Sequence, residues 1–169
     1  MTEDLMDLIR FSAEEVLDMA IRIEENGERF YADAARMSKK DNVRELLNSL
    51  AQEEFKHKKY FIELKASVEK APLSSYDPFT EDVSLYIKAL ADSEVFTHPS
   101  EGRKLAKELK GEDALLDFAI EREKDSLLFY YEIAKAVREK DNKIIELIIE
   151  EEKTHLRKLS ALKRDLLGK

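Results

Sequence analysis

The chain has 169 residues, enough for one domain (1–169) with a substantial core; 39% are charged, and only 4 are glycine and 3 proline. Its net charge of −8 argues against nucleic acid as the main partner, because phosphate binding needs a clustered basic surface. The absence of cysteine removes disulfides, thiol catalysis, iron–sulfur clusters and zinc ribbons together.

No run of about 18 apolar residues offers a membrane span, and the acidic start Met1-Thr2-Glu3-Asp4 is unlike a signal peptide, so no membrane partner and a cytoplasmic location are expected. Hydrophobic periodicity predicts four long helices. The first covers 12–39, opened by a capping box at Ser12-Ala13-Glu14-Glu15. Its buried stripe runs through Val16, Leu17, Ala20, Glu24, Gly27 and Tyr31. After a break at Lys40-Asp41, a second capping box at Asn42 is expected to open a helix over 42–70, with stripe Val43, Leu47, Leu50, Glu54, His57, Phe61, Leu64 and Val68.

Residues 72–111 hold all three prolines and read as a crossover containing short helices near 79–92 and 100–109, with His98 in an exposed loop. The third long helix spans 112–140, with Leu116, Ala119, Glu123, Leu127 and Tyr130 on its stripe. The fourth spans 142–167, with Ile145, Ile148, Glu152, His155 and Leu159. The halves repeat: Ala20-Ile21-x-x-Glu24 and Phe30-Tyr31 recur as Ala119-Ile120-x-x-Glu123 and Phe129-Tyr130. A duplicated hairpin joined by a long connection is an all-α four-helix bundle.

Glu54-Phe55-Lys56-His57 and Glu152-Lys153-Thr154-His155 place Glu-x-x-His inside apolar stripes. Residues three apart share a helix face, so each turn presents two ligands to one side. With Glu24 and Glu123 they make four carboxylates and two imidazoles, a set that cannot be buried cheaply without a compensating charge. A pair of metal ions supplies it; ligands of this kind without sulfur suit iron or manganese, and zinc also fits. Glu53 and Glu151 lie four residues before the histidines and remain alternatives to Glu54 and Glu152. The residues before Asp41 and after it put Glu24 and Glu54 at heights that differ by ~6 Å, a mismatch the turn must absorb.

The segments Ala20-Ile21-Arg22-Ile23-Glu24-Glu25-Asn26-Gly27-Glu28-Arg29-Phe30-Tyr31 and Ala51-Gln52-Glu53-Glu54-Phe55-Lys56-His57, with their second-half partners, resemble the rubrerythrin branch of the ferritin-like di-iron carboxylate proteins over residues 12–167. The resemblance implies two iron ions. Glu24 and Glu123 would be the ligands supplied by the first and third helices, Glu54 and Glu152 carboxylates able to bridge the two ions, and His57 and His155 each terminal on one ion. Tyr31 and Tyr130 would be phenols that steady a carboxylate or relay charge, and packed aromatics otherwise. It also implies an oxidoreductase that reduces hydrogen peroxide or O₂. Two departures limit it. The cysteine-rich rubredoxin-like tail is missing, so an external electron donor protein is expected. Ile120 stands where such proteins often carry an additional glutamate, and Glu121 sits about 200° around the helix from Glu123. A ferroxidase or iron-storage role, or a metal-binding bundle without turnover, are the alternatives, and a homodimer is the expected assembly.

Overall fold

The capping box at Ser12 forms: Ser12 Oγ accepts from Glu15 N at 3.2 Å, and Glu15 Oε2 accepts from Ser12 N at 2.8 Å. These bonds satisfy two amides at the helix start that have no intrahelical partner. In this computed structural model, residues 11–69, 81–91, 104, 107–136 and 139–168 are described. Five helices occur among them: α1 (Ala13–Met37), α2 (Asp41–Glu69), α3 (Glu81–Ala91), α4 (Glu112–Ala136) and α5 (Glu139–Leu166). None is long and apolar enough to cross a membrane. His98 and most of the short helix expected over 100–109 lie outside the described residues.

The fold is the expected all-α bundle of two hairpins, α1–α2 and α4–α5, joined through a crossover that carries α3. Each long helix packs chiefly on its hairpin partner. Residues from the start of α1, the end of α2, the end of α4 and the start of α5 form one apolar cluster, including Leu17, Phe61, Ile133 and Ile148. The opposite helix ends form another, including Ala34, Leu47, Leu116 and Leu159. The two hairpins therefore run in opposite senses, with their turns at opposite ends. From the crossover, α3 buries Ile87 in the first cluster, and its Ser84 Oγ accepts from Phe11 N at 3.1 Å, which ties it to the entrance of α1.

The helix boundaries differ from expectation in one instructive way. No capping box forms at Asn42, because α2 has already begun at Asp41, and Asn42 Oδ1 instead accepts from the adjacent Val43 N at 3.0 Å. Glu112 of α4 fixes the turn. Its Oε1 accepts from Ser38 Oγ at 2.7 Å, Lys39 N at 3.1 Å and Lys40 N at 3.0 Å. The second Asp-Asn pair, Asp141-Asn142, likewise lies inside a helix, α5. This shift removes the expected height mismatch. Glu24 lies 13 residues from the turn end of α1 (37−24) and Glu54 lies 13 from that of α2 (54−41). In the second hairpin Glu123 and Glu152 lie inside α4 and α5, and their donor atoms meet those of the first hairpin. At ~1.5 Å per residue Glu24 and Glu54 both stand ~20 Å from their turn, and the four glutamates meet between the two apolar clusters.

Candidate metal centre

All six expected ligands are buried, at 0–1% exposure: Glu24, Glu54, His57, Glu123, Glu152 and His155. They form two overlapping sets. Glu24, Glu54, His57 and Glu152 each offer a donor atom within 4.8 Å of the others, and so do Glu54, Glu123, Glu152 and His155. Glu54 and Glu152 belong to both sets. Their choice over Glu53 and Glu151 follows from helical phase. The inner pair faces the bundle axis, whereas the side chains of Glu53 and Glu151 are 27% and 45% exposed.

Glu53 and Glu151 nevertheless belong to the centre in another capacity. Glu53 Oε2 lies 2.6 Å from His155 Nε2, and Glu151 Oε2 lies 2.7 Å from His57 Nε2. Each α2–α5 pairing is reciprocal. An imidazole that donates from Nε2 to a carboxylate presents its Nδ1 lone pair inward, with a fixed ring orientation and raised basicity. His57 Nδ1 is 2.8 Å from Glu152 Oε1 and 3.5 Å from Glu24 Oε2. His155 Nδ1 is 3.4 Å from Glu152 Oε2 and 3.6 Å from Glu123 Oε2. The two rings stack with centroids 5.5 Å apart. Glu53 is held down at about 2, chiefly by the hydrogen bond from His155, against the opposing effect of its partial burial and with help from Lys158. Glu53→Gln and Glu151→Gln are each expected to weaken Co(II) binding 10- to 100-fold, measured by chelator competition. Unchanged affinity in both would reduce these carboxylates to surface ion pairs.

Tyr31 and Tyr130 are fully buried and cross between the hairpins. Tyr31 on α1 donates to Glu123 Oε1 on α4, and Tyr130 on α4 donates to Glu24 Oε1 on α1. Each hydroxyl takes one carboxylate oxygen and leaves Oε2 directed at the centre. Burial pushes both phenols well up, and the neighbouring carboxylates, first Glu123 for Tyr31 and Glu24 for Tyr130, push them further.

The pattern of unsatisfied atoms tests the fit to metal. Glu24 Oε2, Glu54 Oε1, His57 Nδ1, Glu123 Oε2, both oxygens of Glu152 and His155 Nδ1 are buried without a hydrogen bond. Orphaned buried polar atoms are costly and rare; these seven converge on one volume and are all metal-donor types, and the two others among the described residues are Arg122 Nε and Asn142 Oδ1. Without ions, protons must hold the cluster together. Burial lifts Glu123 to about 8 with the Glu152 charge adding to it, and burial with Glu24 and Glu152 lifts Glu54. Burial acts to lower His57, but Glu24 and Glu152 outweigh it and carry it to about 11.

Arg122 stands outside the Glu-x-x-His and glutamate–tyrosine motifs. It is 3% exposed and donates from Nη2 to Ile23 O at 3.1 Å. Its Cζ lies 5.9 Å from the centre of the Tyr31 ring. A methyl group at Gly27 would stand 1.9 Å from Arg122 Nη2 and 3.0 Å from Glu54 Cδ, so the missing Cβ of Gly27 is the seat of the guanidinium. Burial acts to lower this group, and the carboxylates overcome it, with Glu54 ahead of Glu123 and Glu123 ahead of Glu24. Within Glu121-Arg122-Glu123-Lys124 it reads as one more surface charge. The signal available was the repeat, which aligns Arg122 with the buried Ile23 (122−23 = 99).

Four long helices in two opposed hairpins, closing on paired Glu-x-x-His turns and two further glutamates, define a ferritin-like carboxylate protein with a buried Glu/His cluster of metal-donor atoms. A family model described as Rubrerythrin matches residues 15–163, and the chain belongs to that family. It is also similar to the crystal structure of a Thermotoga maritima protein described as ferritin-like diiron-carboxylate. That likeness has 29% identity and a TM-score of 0.72 over 92% of this chain and 96% of the other. No functionally curated protein matches the chain.

Proposed function

We propose that the protein is a di-iron oxidoreductase that reduces hydrogen peroxide at the mid-bundle centre, with Glu24, Glu54, His57, Glu123, Glu152 and His155 as ligands. The observation that carries this reading is the pair of overlapping ligand sets sharing Glu54 and Glu152, whose donor atoms otherwise lack partners. Membership of the rubrerythrin family favours iron over manganese or zinc, and peroxide over O₂. Held by these six residues, a ferrous pair would supply the two electrons that, with two protons, convert hydrogen peroxide to two waters.

The chain's own contribution is positional. Tyr31 and Tyr130 hold the terminal carboxylates of Glu123 and Glu24 by one oxygen each. Glu53 and Glu151 set the tautomers of the histidines. The apolar clusters above and below exclude bulk water and strengthen every charge interaction between them. Reducing equivalents come from a donor outside these residues, which contain no cysteine.

Loading the metal-free protein with Fe(II) under anaerobic conditions and mixing it with peroxide or with O₂ in a stopped-flow instrument tests the proposal. Oxidation is expected to be much faster with peroxide. The reverse order would replace peroxide reduction with a ferroxidase function.

A further inference from the structure

The two halves of the centre repeat each other in ligands, histidine partners and tyrosines, but they differ in what backs them. In the first half, position 23 is isoleucine, 2% exposed and packed in an apolar cluster. Its counterpart in the second half is Arg122. Gly27 offers the guanidinium a seat, whereas its counterpart is Ser126, also buried. One half of the repeat therefore carries a hydrocarbon side chain at this position and the other a permanent positive charge, seated against α1.

That charge is placed unevenly with respect to the two ligand sets. The guanidinium lies by Glu54, which both sets share, and by the ring of Tyr31, whose hydroxyl engages Glu123. Glu123 belongs only to the set that contains His155. A guanidinium stays protonated at every pH at which the protein is folded, so it acts as a constant bias and not as a switch. It repels a divalent cation, and it competes for the negative charge of Glu123 and Glu54; both effects fall with distance.

We propose that Arg122 makes the two ion positions unequal, so that the Glu24–His57 position fills first and the Glu123–His155 position second. This rests on the reading of the cluster as a two-ion site, and it adds a loading order that the symmetric ligand set does not contain. The ordered site holds one tightly bound ion and one that exchanges more readily. Arg122 is in this sense a positioning residue that acts through charge, and it is not itself a ligand.

Calorimetric titration of the metal-free protein with Mn(II), followed in parallel by electron paramagnetic resonance, tests this. The wild type is expected to bind in two steps that differ at least about tenfold in affinity. A mononuclear signal should dominate at one equivalent and a coupled pair at two. His155→Ala should keep the tight step and His57→Ala should lose it. Arg122→Met should shrink the ratio of the two affinities by about tenfold, and Arg122→Lys should restore it by returning the charge. Gly27→Ala, which unseats the guanidinium but leaves the arginine in the chain, should narrow the ratio as Arg122→Met does, and it provides the same test if Arg122→Met does not fold. An unchanged ratio in the folded variants, or loss of the tight step in His155→Ala, overturns the loading order while leaving the two-ion centre intact. No stoichiometric Mn(II) binding by the wild type would instead overturn the centre itself.

Discussion

Replacement of His57 with alanine is expected to lower metal affinity by more than about 100-fold at one of the two positions. Removal of the carboxylate behind a metal-bound histidine typically costs 10- to 100-fold, and deletion of the ligand itself must cost more. His57 contributes the only nitrogen donor of its set, and its ring is fully buried against Glu24 and Glu152. Truncation therefore leaves carboxylates facing one another without an ion strong enough to offset their repulsion. Elemental analysis after dialysis should find close to one ion per chain in place of two. Retention of two would remove His57 from the ligand set.

The second large effect is on stability. The metal-free protein is expected to lose stability as pH rises from about 5 to 9, opposite to a protein held by ordinary carboxylate ion pairs. Glu123 is raised from 4.5 to about 8 and His57 from 6.5 to about 11 in the folded state, each by its buried carboxylate surroundings. A group with a raised folded value stabilises the fold fully below its unfolded value, and that contribution is lost as pH climbs toward the folded value. Glu53 and Glu152 are lowered and act in the other direction, but their contribution is lost only below about pH 4.5. Divalent cations replace the protons, so metal binding releases protons and tightens with pH. At a free concentration 100 times Kd, each ion adds about 2.7 kcal/mol. For a chain of this length that raises Tm by roughly 5–10 °C. Melting curves at pH 5, 7 and 9 with and without Mn(II) would show it. A metal-free Tm that rises with pH, or no shift on adding Mn(II), would contradict the proton-for-metal exchange.

Much of this architecture was legible in the sequence because the centre violates helical patterning. Glu24, Glu54, Glu123 and Glu152 stand where leucine would be expected, and the two histidines complete turns that periodicity had already assigned to the interior. The structure brings all six together. What the sequence concealed has two physical origins. Turn position depends on a distant partner: Glu112 takes the amides of Lys39 and Lys40 and moves the start of α2 ahead of the expected cap at Asn42. Adjacent charges look alike in one dimension, so Glu53 and Glu151 stand as alternatives to the ligands Glu54 and Glu152, and Arg122 reads as surface. Pairing across α2 and α5 gives the two glutamates their role, and the vacant side of Gly27 gives the arginine its burial.

The opposed hairpins carry a consequence for symmetry. If two identical hairpins met as separate chains, their centre would lie on a two-fold axis, and every feature on one side would be reproduced on the other. An arginine at the position of Ile23 would then come with a second arginine, and its glycine seat with a second glycine, flanking the same four carboxylates from both sides. Joining the hairpins through the α3 crossover lifts that constraint. Each side of the centre can then carry its own substitution, and a site that two identical chains could only build even-handedly acquires a front and a back.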